Sequence, residues 1–189
     1  SFSLSPLFSS DGRVIGILAV ILEINKEPRK SPTETLLASK GAAIIKYMSD
    51  GLILADTEGN IIYENPAALK LLGYSDFSEV ETSREDYRAS WEVKDLLGNQ
   101  VPFNEWPLVR VLNGDEFADL ELEIKHKTLK THFIGSFFGI PIKDTQGQSL
   151  FTMLTLRDIS SNKAVELQSK KESLLLQTIY DKIPVMLTI

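Results

Sequence analysis

The chain has 189 residues, 43% of them hydrophobic and 24% charged, enough for one well-buried core with smaller pieces beside it. A formal net charge of −6, a pI near 5.0 and the lack of any element where Lys and Arg cluster exclude a nucleic-acid surface. The absence of cysteine removes disulfides, thiolate catalysis, cysteine-ligated zinc and any cysteinyl adduct with a flavin.

No apolar run approaches the roughly 18 residues needed to span a bilayer. The longest, Val14 to Leu22, is strand-length, and a glycine turn and Pro6 precede it with no cleavage site after it. The expected compartment is cytoplasmic.

In chain order, Ser9 to Arg13 reads as a turn and Val14 to Ile24 as a strand, so residues 1–24 resemble the closing half of a module. The same pattern returns near Ile140 to Ser160. Pro6 matches Pro141 and Gly12 matches Gly147, an offset of 141 − 6 = 147 − 12 = 135. At that offset Glu23-Ile24-Asn25 meets Asp158-Ile159-Ser160, and Ile44 and Met48 meet Ile179 and Ile183. A tandem array is the simplest reading: the tail of one module, all of a second and the opening of a third.

Asn25 to Thr33, with Pro28 and Pro32, is a linker. Ser31-Pro32-Thr33-Glu34 fits a capping box, with Ser31 as N-cap, for a helix over 34–48 that carries Leu37, Ile44 and Met48 on one face. Ser49-Asp50-Gly51 stops it. Leu52 to Asp56 and Ile61 to Glu64 are strands around the turn Thr57 to Asn60. Asn65-Pro66 opens a short helix that Gly73 closes. Phe77 to Leu97 is polar with scattered aromatics, consistent with short helical turns. Asn104 is placed to cap a helix through Val111. Asp119 to Lys125 alternates, with Leu120, Leu122 and Ile124 facing the core. Thr131 to Ile142 is the next strand, followed by the turn Asp144 to Gly147.

Leu150 to Leu156 is a further strand, apolar on both faces, so the helix over 34–48 or a second subunit should cover the outer side of the sheet. Across Arg157-Asp158-Ile159-Ser160 the chain then becomes a charged segment without Pro or Gly. Asp158 or Ser160 can accept a bond from the free N–H groups of a first helical turn, so strand passes to helix with almost no loop. Such a joint can pass a strain in the sheet to whatever the helix enters.

The order of elements, together with Asp50-Gly51, Asp56 to Ala68, Leu72-Gly73-Tyr74, Asn104 to Leu108, Pro141 to Gly147 and Arg157 to Ser160, resembles a PAS domain. PAS domains are sensor modules of histidine kinases and other signalling proteins. Asp158-Ile159-Ser160 is similar to the family's closing Asp-Ile-Thr motif, with Ser keeping the hydroxyl. The resemblance implies an α+β fold: a five-stranded antiparallel sheet with helices on one face, flanked by N- and C-terminal signalling helices. The implied organisation is a closing hairpin of a preceding PAS-like or GAF-like module (1–24), a linker (25–33), a flanking helix (34–48), a PAS domain (49–160), an outgoing signalling helix (161–182) and the start of a following PAS-like module (183–189). It further implies dimerisation through the flanking helices, contact with adjacent PAS and kinase domains of the same chain, and relay through Asp158, Ile159 and Ser160 to an output such as a histidine kinase of a two-component system.

Trp106, Val109, Leu122, Phe133, Phe137, Leu154 and Leu156 either line a small ligand pocket or simply fill the core. The module is thus a ligand sensor or a purely dimerising spacer, with the ligand unassigned. Enzyme readings find little support. Asn113-Gly114-Asp115-Glu116-Phe117 echoes the signature of diguanylate cyclases, but its first glycine is Asn and no aspartate-rich metal strand stands upstream. His126 and His132, the two histidines, belong to a strand hairpin, not to the exposed helix of a phospho-acceptor. Haem is disfavoured because the helix over Asn104 to Leu112 carries no histidine. No convergent catalytic or metal-binding set emerges.

Overall fold

The computed structural model describes residues 32–144 and 146–182. The expected hairpin of residues 1–24, most of the linker, the Ser31 cap and the module opening at 183–189 lie outside the described residues.

Helix α1 (Pro32–Tyr47) begins at Pro32, whose missing N–H costs nothing in a first helical turn. It leads to strands β1 (Gly51–Ala55) and β2 (Ile61–Glu64). The intervening turn is held by Asp56, whose Oδ1 accepts the N–H groups of Glu58 and Asn60 at 2.9 Å each. Asn65 then caps α2 (Pro66–Leu72) by accepting the Ala68 N–H, and Gly73, at φ +90°, ends it. Next come a 3₁₀ turn (Phe77–Glu79), α3 (Arg84–Ser90) and β3 (Trp91–Lys94). A second 3₁₀ turn (Phe103–Glu105) precedes α4 (Pro107–Leu112). Strands β4 (Phe117–His126), β5 (His132–Lys143) and β6 (Ser149–Asp158) follow, and α5 (Ser160–Lys182) closes the described chain.

The six described strands join one antiparallel sheet in the order β2-β1-β6-β5-β4-β3. This is the expected α+β layer with one strand more than the five expected. The sixth is β3, which lies in the stretch read as short helical turns. Only pairing with β4, from Trp91 opposite His126 to Lys94 opposite Glu123, makes it a strand. Asn104 does not cap α4. It sits inside the 3₁₀ turn, and the helix starts after Trp106 with Pro107 at its first position.

The sheet carries two apolar clusters. On the inner face α2 and α4 cover Ile53, Ala55, Trp91, Val93, Leu122, Ile124, Phe133, Phe137, Leu154 and Leu156. On the outer face Leu52, Leu54, Phe151 and Met153 pack with Ile45 and Met48 at the end of α1. The helix therefore covers part of the outer sheet, as its apolar strands require. The residue doing so is Ile45, buried, whereas Ile44 is 53% exposed. The expected face was off by one position.

Candidate functional site

Two sites stand out: the joint where the sheet passes into α5, and a polar nest on the inner face.

At the joint a single residue, Ile159, separates β6 from α5. Asp158 Oδ1 accepts the Ser160 N–H at 2.8 Å, satisfying one of the free donors at the helix start. Ser160 does something the sequence did not suggest. Its Oγ accepts the Ile134 N–H at 2.9 Å, while the Ile134 carbonyl accepts the Ile159 N–H at 2.9 Å. Both backbone groups of one β5 residue thus hold the first residues after β6, and the Ile159 side chain is buried. Lys163, one turn into α5, adds an ion pair to Glu121 of β4 at 2.6 Å. The helix start is fixed to two strands.

The seven residues expected at the pocket, Trp106, Val109, Leu122, Phe133, Phe137, Leu154 and Leu156, are all buried in the single inner cluster. They are brought together in one apolar cluster with Ile53, Ala68, Leu72, Trp91, Val93 and Ile124. The Trp106 indole N–H is satisfied by the Val101 carbonyl at 3.0 Å. None of the seven offers a free polar group to a ligand.

The polar groups lie at one edge of this cluster, on residues that sequence reasoning missed. Glu64 ends β2 opposite Ile53, so its side chain shares the inner face. It is only 4% exposed, and neither carboxylate oxygen has a hydrogen-bond partner. Burial, reinforced by the nearby Glu81 carboxylate, pushes its pKa up to about 8. Glu81, between the first 3₁₀ turn and α3, is well served by comparison. Its partial burial raises its pKa, but the hydroxyls of Tyr74 and Ser90 and the nearby His126 outweigh that and hold it below the usual carboxylate value. The Trp91 side chain bonds the Tyr74 hydroxyl in turn. Burial first, then the bond to Glu81, raises the Tyr74 pKa.

His126, at the end of β4, is buried as well. Its Nδ1 accepts the N–H groups of Thr128 at 3.1 Å and Leu129 at 2.9 Å, which assigns the ring proton to Nε2. Nε2 stands 3.5 Å from Glu81 Oε1 without a hydrogen bond. The rings of Tyr74, His126, Trp91, Tyr87, Trp106 and Phe103 form a continuous arc, with successive centroids 6.3, 4.6, 6.4, 5.7 and 5.0 Å apart. A strand-end glutamate and a hairpin histidine ordinarily face water. Only the register of β2 on β1 and of β4 on β3 turns these two inward.

His132 is exposed and paired with Glu123 at 2.6 Å. In the Asn113 to Phe117 stretch, Gly114 makes the turn after α4 and Asp115 pairs with Arg110 at 2.9 Å. Among the described residues no three His, Cys, Asp or Glu side chains are grouped to hold a metal ion, and no helix is long and apolar enough to cross a membrane.

A family model described as the PAS domain matches residues 49–161, well over half of the chain. The chain belongs to the PAS family. PAS domains are generally sensory, signalling modules, not catalysts. Solved structures are similar to this chain. An RNA-binding light-oxygen-voltage receptor is 18% identical with a TM-score of 0.54, covering 78% of this chain. The chain spans 41% of that receptor's length. A PAS domain from Colwellia psychrerythraea is 20% identical with a TM-score of 0.48 over 65% of this chain and 97% of its own. The PAS domain of the fruit-fly ELK potassium channel is 16% identical with a TM-score of 0.49 over 69% and 99%. No curated protein matches the chain by sequence.

Proposed function

We propose that this PAS domain is a sensory relay module, in which a change at the inner face of the sheet re-aims α5 toward an output domain. The observation that carries the reading is the double hold of Ile134 on Ile159 and Ser160. With one residue between strand and helix, a shift of β5 against β6 cannot be absorbed by slack. It must rotate or release the first turn of α5. Asp158, Ile159 and Ser160 are the relay residues.

The domain works within a longer chain, as part of a tandem PAS array that ends in a histidine kinase or a similar output. It is cytoplasmic and pairs with a second copy through its flanking helices. In support of pairing, Val165, Leu167, Leu174, Leu175 and Leu176 of α5 are each more than half exposed, a concentration of apolar side chains that calls for a partner. A second reading, a dimerising spacer without ligand, is favoured by the burial of all seven core residues in one apolar cluster.

The test is Asp158→Ala in the full-length protein, with output measured as a function of stimulus. Altered output from a protein with an unchanged circular dichroism spectrum is expected. Unchanged output would refute the relay.

A further inference from the structure

A buried carboxyl with no partner is expensive, and a fold keeps one only where something else supplies donors. Glu64 is such a group. Three features of its surroundings narrow what that donor is. The second carboxylate nearby, Glu81, is ionised, so the site is negative and set in apolar surroundings. Glu64 is close enough to Tyr74 and Tyr87 to raise their pKa values, and the His126 and Trp91 rings adjoin those two tyrosines. No grouping suited to a metal ion exists among the described residues. Carboxylates beside aromatic rings, without a metal-ligand set, match a soft organic cation bearing N–H groups.

We propose that Glu64, with Glu81 and the rings of Tyr74, Tyr87 and Trp91, forms an interior binding site for a small protonated amine. The ammonium donates to the two orphaned Glu64 oxygens while the rings pack on its organic part. This deepens the sensory reading by naming a ligand class for its input.

Access runs through α3. That two-turn helix carries Tyr87 over the site, yet it has no fully buried residue. Its two arginines, Arg84 and Arg88, lie over the Phe103 ring at 5.5 and 5.0 Å. Tyr87 and the two arginines are what hold this short helix to the core, so releasing them uncovers the site. When it closes, it places Tyr87 against the occupant.

Entry of the cation moves a proton. Glu64, facing Glu81 from the loop before α3, Tyr74 from just after α2 and Tyr87 from α3, with His126 of β4 beyond Glu81 and Tyr74, is protonated below about pH 8. It must ionise to pair with the ammonium, and the released proton passes to solvent. Affinity therefore falls about tenfold for each pH unit below about 8.

The experiment is titration calorimetry of the 189-residue chain with primary amines from methylamine to phenethylamine, and with the corresponding alcohols, at pH 6, 7 and 8 in two buffers of different ionisation enthalpy. At least one amine should bind, its alcohol should bind at least tenfold more weakly, and about one proton should be released per amine at pH 6. Glu64→Gln, which keeps the shape and removes the charge, should lose tenfold or more. Glu81→Gln should weaken binding less while leaving Glu64 to release its proton. If no amine of the series binds, if alcohols bind equally well, or if Glu64→Gln binds unchanged, the site is not an amine site. The readout involves no signalling output, so its failure leaves the relay through α5 standing, and an unchanged Asp158→Ala output leaves the amine site standing.

Discussion

Arg157 and Asp50 stand 107 positions apart in sequence, and the Arg157 guanidinium closes on both oxygens of the Asp50 carboxylate, Nε to Oδ1 at 2.9 Å and Nη2 to Oδ2 at 2.5 Å. Asp50 lies just after α1 and Arg157 just before α5, so this fork joins the place where the chain enters the sheet to the place where it leaves. Both side chains are partly exposed, which limits what the pair adds to stability. Asp50→Asn should cost about 1 kcal/mol or less in urea unfolding, and less again in high salt. Its larger effect should be faster amide exchange in the first turn of α5. A loss above about 3 kcal/mol would mark the pair as part of the core.

Ser160 is the residue through which the helix start holds β5. Ser160→Ala leaves the Ile134 N–H without its acceptor and should cost about 1 kcal/mol. Ser160→Thr keeps the hydroxyl and should restore most of it. Amide exchange at Ile134 reads the bond directly: faster in the alanine variant, near normal with threonine. Equal protection in all three would show that the bond does not form in solution.

Asn65 carries more. Fully buried, its Oδ1 accepts the Leu52 and Ala68 N–H groups at 2.9 Å, and its Nδ2 donates to the carbonyls of Asp50 at 3.0 Å and Ile45 at 3.2 Å. One side chain thereby caps α2, pairs with β1 and holds the end of α1. Asn65→Ala removes all four bonds and strands buried backbone groups, for about 3 kcal/mol by chemical denaturation. Asn65→Asp should be nearly as damaging at neutral pH, because a carboxylate then faces two carbonyl oxygens.

Glu64 makes stability depend on pH. Folded, its pKa is pushed up to about 8 from the ordinary 4.5, so between these values the folded state binds one more proton than the unfolded chain. Its contribution is full below about 4.5 and is lost as pH rises through about 8, a swing on the order of 5 kcal/mol. Asp56 acts the other way, its lowered pKa favouring the fold at higher pH, but only in the acid range. Urea midpoints should therefore fall between pH 5 and pH 8.5, and Glu64→Gln should flatten that slope and be the more stable protein at pH 8.5. A wild-type midpoint independent of pH over this range would show Glu64 to be solvated.

The parts read in advance are those whose signal is local. Asn65-Pro66 with Gly73 bounded α2 because capping and a left-handed stop are properties of a few adjacent residues. The alternation of β4 and the apolar run of β6 showed in the same way. The missed strand β3 had a usable signal. Asp95-Leu96-Leu97-Gly98-Asn99 has the same form as the turns at Asp56 and Asp144. Asp95 Oδ1 accepts the Leu97 and Asn99 N–H groups at 2.9 and 2.8 Å, as Asp56 and Asp144 do in theirs. Ile44 and Ile45 were confused because adjacent apolar residues both fit a helical stripe, and only contact with Leu54 and Met153 separates them.

The amino-acid order alone determined the antiparallel α+β class, the caps and turns, the apolar residues of the core and the short path from β6 into α5, because each depends on neighbours a few bonds away. Tertiary structure decided which polar groups are buried. Glu64 and His126 become interior only through strand pairing, and the hydroxyl of Ser160 finds Ile134 across 26 residues only once β5 lies beside β6. Whether a carboxyl meets water or a ring depends on which face the register presents, and register belongs to the whole sheet.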